Sequence, residues 1–184
     1  MIPDERQALS LHLKYGSDKR VVDHCRLVAR ISIVLCESLA SRGKTVDAQA
    51  TLAGALLHDI GRSRTHAVEH GHVGASMLEE EGVDAVVVEI VRRHVGAGIS
   101  AKEAETLGFP KADYIPMTLE QKVVCFSDKM VSADSVRPFE EEVKRFVRKG
   151  HDVDRLLALK KDLEDELGED PEKVVLGTFG ASFN

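Results

Sequence analysis

Four stretches of this sequence put an imidazole or a carboxylate where the pattern calls for an apolar side chain. His24 falls on the stripe Val21, Val28, Ile31, Leu35, whose members step by three or four residues. His58 and Asp59 close "GALLHDIG", the end of the most apolar run in the chain. His94 shares a helical face with Val87, Ile90 and Val91. Asp128 has Val124, Cys125 and Val131 as its i−4, i−3 and i+3 neighbours. Burying one unpartnered polar group costs about 1–3 kcal/mol, and an unpaired charge costs more. A fold does not carry that penalty on four helices independently. A shared divalent cation removes it for all of them, by neutralising the carboxylates and taking neutral imidazole nitrogens as ligands. Each residue alone has a plainer role: a hydrogen-bonded core histidine, a carboxylate capping a neighbouring helix, a frayed helix end. The combination points to a metal site built from inward side chains on facing helices.

The elements that must present these groups are helical. Ser17 or Asp18 caps a helix that Gly43 ends. Asp47 caps the next, apolar nearly all round up to His58, and so a central buried helix. "RSRTHAVEHG" has no apolar stripe and reads as a loop, and "HVGASMLEEEG" as a short helix ended by Gly82. Asp84 starts a helix that carries His94 and runs into glycines. Residues 97–117 form the longest irregular segment, with one helical turn at 101–106; such loops are usually functional or mobile. Thr118 and Gln121 have capping-box spacing and open "TLEQKVVCFSDKMVSA". Charged amphipathic helices follow at about 138–149 and 152–167, then a tail with one turn. The Val-rich "VDAVVVEIV" has strand propensity, but its polar residues keep a helical period. The expectation is an all-α, single-domain bundle over 1–184, with a core of about 18–134 and a C-terminal helical extension of about 135–184.

Of the 184 residues 43% are hydrophobic, enough for one core, but only 4% are aromatic and none is Trp. No stretch approaches the ~20 apolar residues of a membrane span. The acidic, polar N-terminus does not resemble a signal peptide, so the expected compartment is the cytoplasm. A net charge of −6 argues against bulk nucleic acid, though not against a small anion in a local pocket. Cys25, Cys36 and Cys125 lack metal-type spacing and sit in apolar runs, as buried reduced thiols.

In their order and spacing, His24, His58-Asp59 and Asp128 resemble the HD-domain metal-dependent phosphohydrolase superfamily. "HDIG" at 58–61 matches its commonest central signature. The resemblance covers about residues 18–134. It implies an α-helical fold with a metal held by His24, His58, Asp59 and Asp128. A two-metal subset adds a His-x-x-x-Gly element, matched here by His70 and Gly74, and a later histidine, matched by His94. Asp59 would then bridge two ions, with His70 and His94 completing the second. His66 and His72 compete for the place given to His70. The cyclic-di-GMP phosphodiesterases carry a Gly-Tyr-Pro element where this chain has "HVGAGIS", which disfavours that substrate. The pattern is nearer the stand-alone branch that includes dinucleoside-tetraphosphate hydrolases, and a group of stand-alone archaeal HDIG proteins.

The implied chemistry is hydrolysis of a phosphoester or phosphoanhydride in a nucleotide-like small molecule by metal-activated water. The ions would be divalent Fe, Mn, Zn, Ni or Co, one or two of them. An anionic transition state needs cations, for which Arg62, Lys129 and Arg93 stand next to the motif residues, in that order of preference. Asp59, Arg62 and Lys129 are thus the expected catalytic residues. Loop 97–117 is a candidate lid or wall, and Phe109 and Tyr114 either stack on a base or pack on the bundle. There is no Gly-x-Ser-x-Gly elbow and no Walker-type loop. The rival is a non-catalytic, metal-stabilised module whose charged C-terminal helices bind a partner. A homodimer is left open as the assembly.

Overall fold

A computed structural model describes residues 1–180, which form ten helices and one minimal hairpin. The helices begin where their caps dictate. In α2 (Lys19–Ser41) Asp18 accepts from the Arg20 N–H, and in α3 (Ala48–Leu57) Asp47 accepts from the Ala50 N–H. In α5 (Ala85–Arg92) Asp84 accepts from the Val86 N–H. In α7 (Leu119–Lys129) Thr118 and Gln121 form the reciprocal box their spacing predicts. "VDAVVVEIV" is helical, as its polar period requires.

Helix α5 ends at Arg92, so His94 lies just past it rather than on it, and His70, read as part of a loop, opens a helix. Three larger features also depart from the sequence reading. The acidic N-terminus folds as α1 (Glu5–Tyr15), opened by an Asp4–Gln7 capping box and closed by left-handed Gly16. The segment after Lys129 leaves the helix for a two-residue hairpin, β1 (Val131–Ser132) and β2 (Ser135–Val136), turned through Ala133 at φ 55°. The tail is not a single turn but α10 (Pro171–Phe179), with Asp170 at its cap and Pro171 in its first turn, where a missing N–H costs nothing. The remaining helices are α4 (His70–Glu80), α6 (Ala101–Thr106), α8 (Phe139–Lys149) and α9 (Val153–Leu167).

Two apolar clusters share α2 and α7. One gathers α1, α3, α4 and α5 against Val28, Ala29 and Val124. The other packs α8, α9 and α10 against Ile31, Leu35, Leu39, Val123 and Phe126. Helix α3 is buried from Ala50 to Leu57 except for the half-buried Leu52, as its all-round apolarity predicts. Gly54 lets it lie close to α5, since a Cβ there would stand 2.5 Å from Ile90 Cγ2. The central helix thereby delivers its last residues to the seam between the clusters.

Candidate metal centre

Helix α3 stops at Leu57, and a short 3₁₀ turn over Ile60–Ser63 follows. His58 and Asp59 lie in the junction, both buried. The turn packs on α4 through two glycines. A Cβ on Gly61 would stand 2.0 Å from the His70 carbonyl oxygen and 2.7 Å from the Gly74 nitrogen. The absence of side chains lets the backbones touch, and this draws His70, the first residue of α4, onto Asp59. Gly61 therefore makes room for α4.

Three histidines are locked in the same way. His58, His70 and His94 each place Nδ1 2.7–2.8 Å from the carbonyl oxygen three residues earlier, on Ala55, Ala67 and Val91. A carbonyl only accepts, so each Nδ1 donates, and in the neutral ring each Nε2 is left as a bare lone pair. These lone pairs converge. His70 Nε2 is 3.1 Å from His94 Nε2 and 3.1 Å from Asp59 Oδ1, and His94 Nε2 is 3.4 Å from the same oxygen. On the other side His58 Nε2 is 3.3 Å from His24 Nε2 and 3.6 Å from Asp128 Oδ1, while His24 Nε2 is 2.9 Å from Asp128 Oδ1.

The donor set fits a cation. Asp59 Oδ1 is buried without a hydrogen-bond donor aimed at it. Acceptors face acceptors at about 3 Å, an arrangement that repels unless a positive charge lies among them. Two groups are close enough to hold an ion: His24, His58 and Asp59, and Asp59, His70 and His94. Asp59 belongs to both, and Asp128 adjoins the first. Burial pushes His94 down to about 4, which keeps its nitrogen available as a ligand. Burial opposes ionisation of both aspartates, yet both are held well below the usual carboxylate range. The imidazoles of His58, His70 and His94 overcome it at Asp59, and Lys129 followed by His24 and His58 at Asp128.

The other sequence candidates find definite places. Arg62 Nε donates to Asp59 Oδ2 at 2.6 Å, and the residue lines the adjoining cleft. Lys129 is buried, with its ammonium on Asp128 and 3.4 Å from the His94 carbonyl oxygen. Arg93 is turned away, tied to Glu89 and to the carbonyls of Asp113 and Ile115. His72 packs with Phe109 and Tyr114, and His66 is exposed at the cleft, so neither displaces His70. Tyr114 is buried and donates to the Pro110 carbonyl; it holds the loop together rather than presenting a face to a base. The three cysteines are buried and unpaired.

The centre opens into a cleft of about 1410 Å³. Loop residues 95–100 with α6 form one wall, and α8 with the start of α9 forms another. Arg155 joins these walls, donating to the Gly98 carbonyl at 2.7 Å and to Glu103 at 2.9 Å. The sequence reading missed this C-terminal wall. It also missed His12 on α1, whose Nε2 donates at 2.7 Å to the Leu56 carbonyl while Nδ1 lies 2.8 Å from Ser17 Oγ. His12 thus satisfies one of the free carbonyls at the end of α3, two residues before His58. The one sequence signal is a histidine four residues after Ala8 on the apolar face of α1, too common a pattern to single out.

The chain is 39% identical over 165 residues to an uncharacterized protein of Methanocaldococcus jannaschii, covering 88% of this chain and 97% of that one. It is 34% identical over 176 residues to the tRNA (cytidine(56)-2'-O)-methyltransferase of Thermoplasma volcanium. That match covers 95% of this chain but 51% of the relative, so the chain spans about half of that enzyme's length. The HD domain of the L. monocytogenes phosphodiesterase PgpH shares the fold, with a TM-score of 0.61 at 16% identity, covering 93% of this chain and 96% of that one. A second structure of that domain is a complex with cyclic-di-AMP. The family model described as HD domain matches residues 21–133, more than half of the chain. That stretch contains all six side chains of the candidate centre, and the chain belongs to the HD-domain family.

Proposed function

We propose that this chain is a metal-dependent phosphohydrolase that acts on a phosphoester or phosphoanhydride of a nucleotide-like small molecule. The observation that carries the reading is the donorless Asp59 Oδ1, flanked by the Nε2 atoms of His70 and His94 and opening toward a cleft on the His24–Asp128 side. His24, His58, Asp59 and Asp128 would hold one divalent ion, and Asp59, His70 and His94 a second. Such ions supply Lewis-acid activation of water and of a phosphoryl oxygen. Family membership supports this class, and the likeness to a phosphodiesterase domain crystallised with cyclic-di-AMP supports a nucleotide-like ligand.

The chain's own residues then have distinct tasks. Arg62 orients Asp59 through Nε and offers its remaining N–H groups to phosphoryl oxygens, where planar, charge-assisted donors are strongest. Lys129, with its ammonium already on Asp128, acts as a positioning residue that keeps that carboxylate ionised. The cleft is lined by six Lys or Arg and seven Asp or Glu residues. The cleft's net charge therefore does little to attract a phosphate, and capture depends on bound cations together with individual arginines such as Arg62.

The methyltransferase name of the Thermoplasma relative belongs to a protein twice as long and is not carried over. That relationship favours a second reading, a non-catalytic nucleotide-binding module. Turnover separates the two. The protein, loaded with Mn or Fe and checked for metal content, is incubated with nucleotides, dinucleotides and dinucleoside polyphosphates while substrate loss and nucleotide products are followed by chromatography. The hydrolase reading expects turnover that Asp59→Ala abolishes; full activity in that variant, or no turnover with metal bound, overturns it.

A further inference from the structure

The wall made by α8 lies outside the family match, yet it reaches the metal centre. Arg145 and Glu142 both line the cleft. Glu142 is nine-tenths buried, and it accepts from Arg145 Nε at 2.6 Å and from Nη2 at 2.5 Å. This pairing uses the side edge of the guanidinium. The end edge, Nη1 with the second hydrogen of Nη2, has no partner among the described residues. Arg145 lines the same cleft as Asp59 and Asp128, and its hydrogen bonds to Glu142 hold its pKa above the ordinary value against burial. The contrast with Arg155 is informative. Arg155 spends its terminal nitrogens on Gly98, Glu103 and Asp152 and serves as a clamp between walls. Arg145 keeps one fork free, on a side chain about half exposed.

We propose that Arg145, aimed by the buried Glu142, forms a second anion-binding subsite that takes a phosphate other than the one at the metal centre. The proposal rests on the nucleotide reading above and narrows it. The preferred ligand carries two separated phosphates, as in a nucleoside 3′,5′-bisphosphate or a linear dinucleotide, rather than one. An arginine end edge matches two oxygens of one phosphate, which a lysine cannot reproduce. A pair that served only to hold α8 in place would leave ligand choice unchanged when Arg145 is replaced.

The test is equilibrium binding by isothermal titration calorimetry at low temperature, using the full chain loaded with Mn. The probes are adenosine 3′,5′-bisphosphate and AMP, which differ by one phosphate. The unaltered chain is expected to bind the bisphosphate at least tenfold more tightly. Arg145→Gln should reduce that preference to within twofold, and Arg145→Lys should leave an intermediate value. Glu142→Gln should weaken the preference through loss of aim. Arg148→Gln, on the same helix but outside the cleft, should leave it intact. No preference in the unaltered chain, or a full preference in both Arg145 variants, overturns the subsite. A preference without turnover of any nucleotide overturns the hydrolase reading and keeps the subsite; turnover without a preference does the reverse.

Discussion

Around Asp59 the centre has two sides. On one, His70 and His94 are almost fully buried, and each ring is pinned through Nδ1 to a carbonyl of its own segment. On the other, His24 and Asp128 have side chains 17% exposed and lean on each other across α2 and α7. The buried side is set by local backbone and by the Gly61–Gly74 contact, so its geometry is fixed before any ligand arrives. The open side is set by long-range packing between two helices and borders the cleft. If the proposed ions bind, one would sit in a dry, rigid cradle and the other would meet water and substrate.

Asp59 joins the sides, so its removal should blur the comparison most. Asp59→Ala is expected to lose both ions by elemental analysis. Activity should fall about 10³-fold or more, since a metal ion contributes several kcal/mol and each 1.36 kcal/mol is tenfold. Retention of two ions would show that the sides do not share this residue. Gly61→Ala tests whether backbone contact sets the buried side. Its Cβ would fall 2.0 Å from the His70 carbonyl oxygen, and overpacking costs about 1–3 kcal/mol or more. The melting temperature should drop by several degrees, and the second ion should be lost. His70→Ala or His94→Ala should leave one ion bound, whereas His24→Ala should weaken the cleft-side ion and spare the buried one.

His12→Phe probes the anchoring of α3. It leaves the Leu56 carbonyl without its donor, at about 1–3 kcal/mol, and His12→Gln should restore part of that. Thermal melts with and without metal read both variants; equal melting of His12→Phe and the unaltered chain would remove His12 from the positioning set. The smallest effect concerns the wall clamp. Glu103 is lowered from 4.5 to about 2: burial opposes this, and Ser100 and Arg155 outweigh it. A depressed carboxylate contributes stability above its unfolded value and loses it as pH falls. The clamp should therefore loosen between about pH 4.5 and 2, seen as faster hydrogen exchange over residues 97–107. A flat exchange profile across that window would exclude it.

Much of the centre was legible because its signals are local. Asp47, Asp84 and Thr118 fix helix starts that the structure keeps, and an inward His or Asp on an apolar stripe stands out against its neighbours. His70 was legible only through its element with Gly74; by pattern it was one of three histidines within seven residues, and packing separates them. The cleft's second wall was not legible. Arg145 and Arg155 lie on helices whose charged faces look solvated in sequence, and only the return of α8 and α9 over α7 turns those faces inward. Helix α1 had a capping box and a terminal glycine on either side of it, signals as good as those of α7, but a polar composition hid them.

The converging lone pairs carry one more consequence. The folded chain holds these groups together at about 3 Å, and the unfolded chain does not. Binding therefore adds directly to folding free energy, at about 2.7 kcal/mol when the free ion is a hundredfold above its dissociation constant. Chelation would then act as a denaturant. The folded fraction of this protein at a fixed warm temperature would rise and fall with the divalent ion supplied to it, making its own persistence a measure of metal supply.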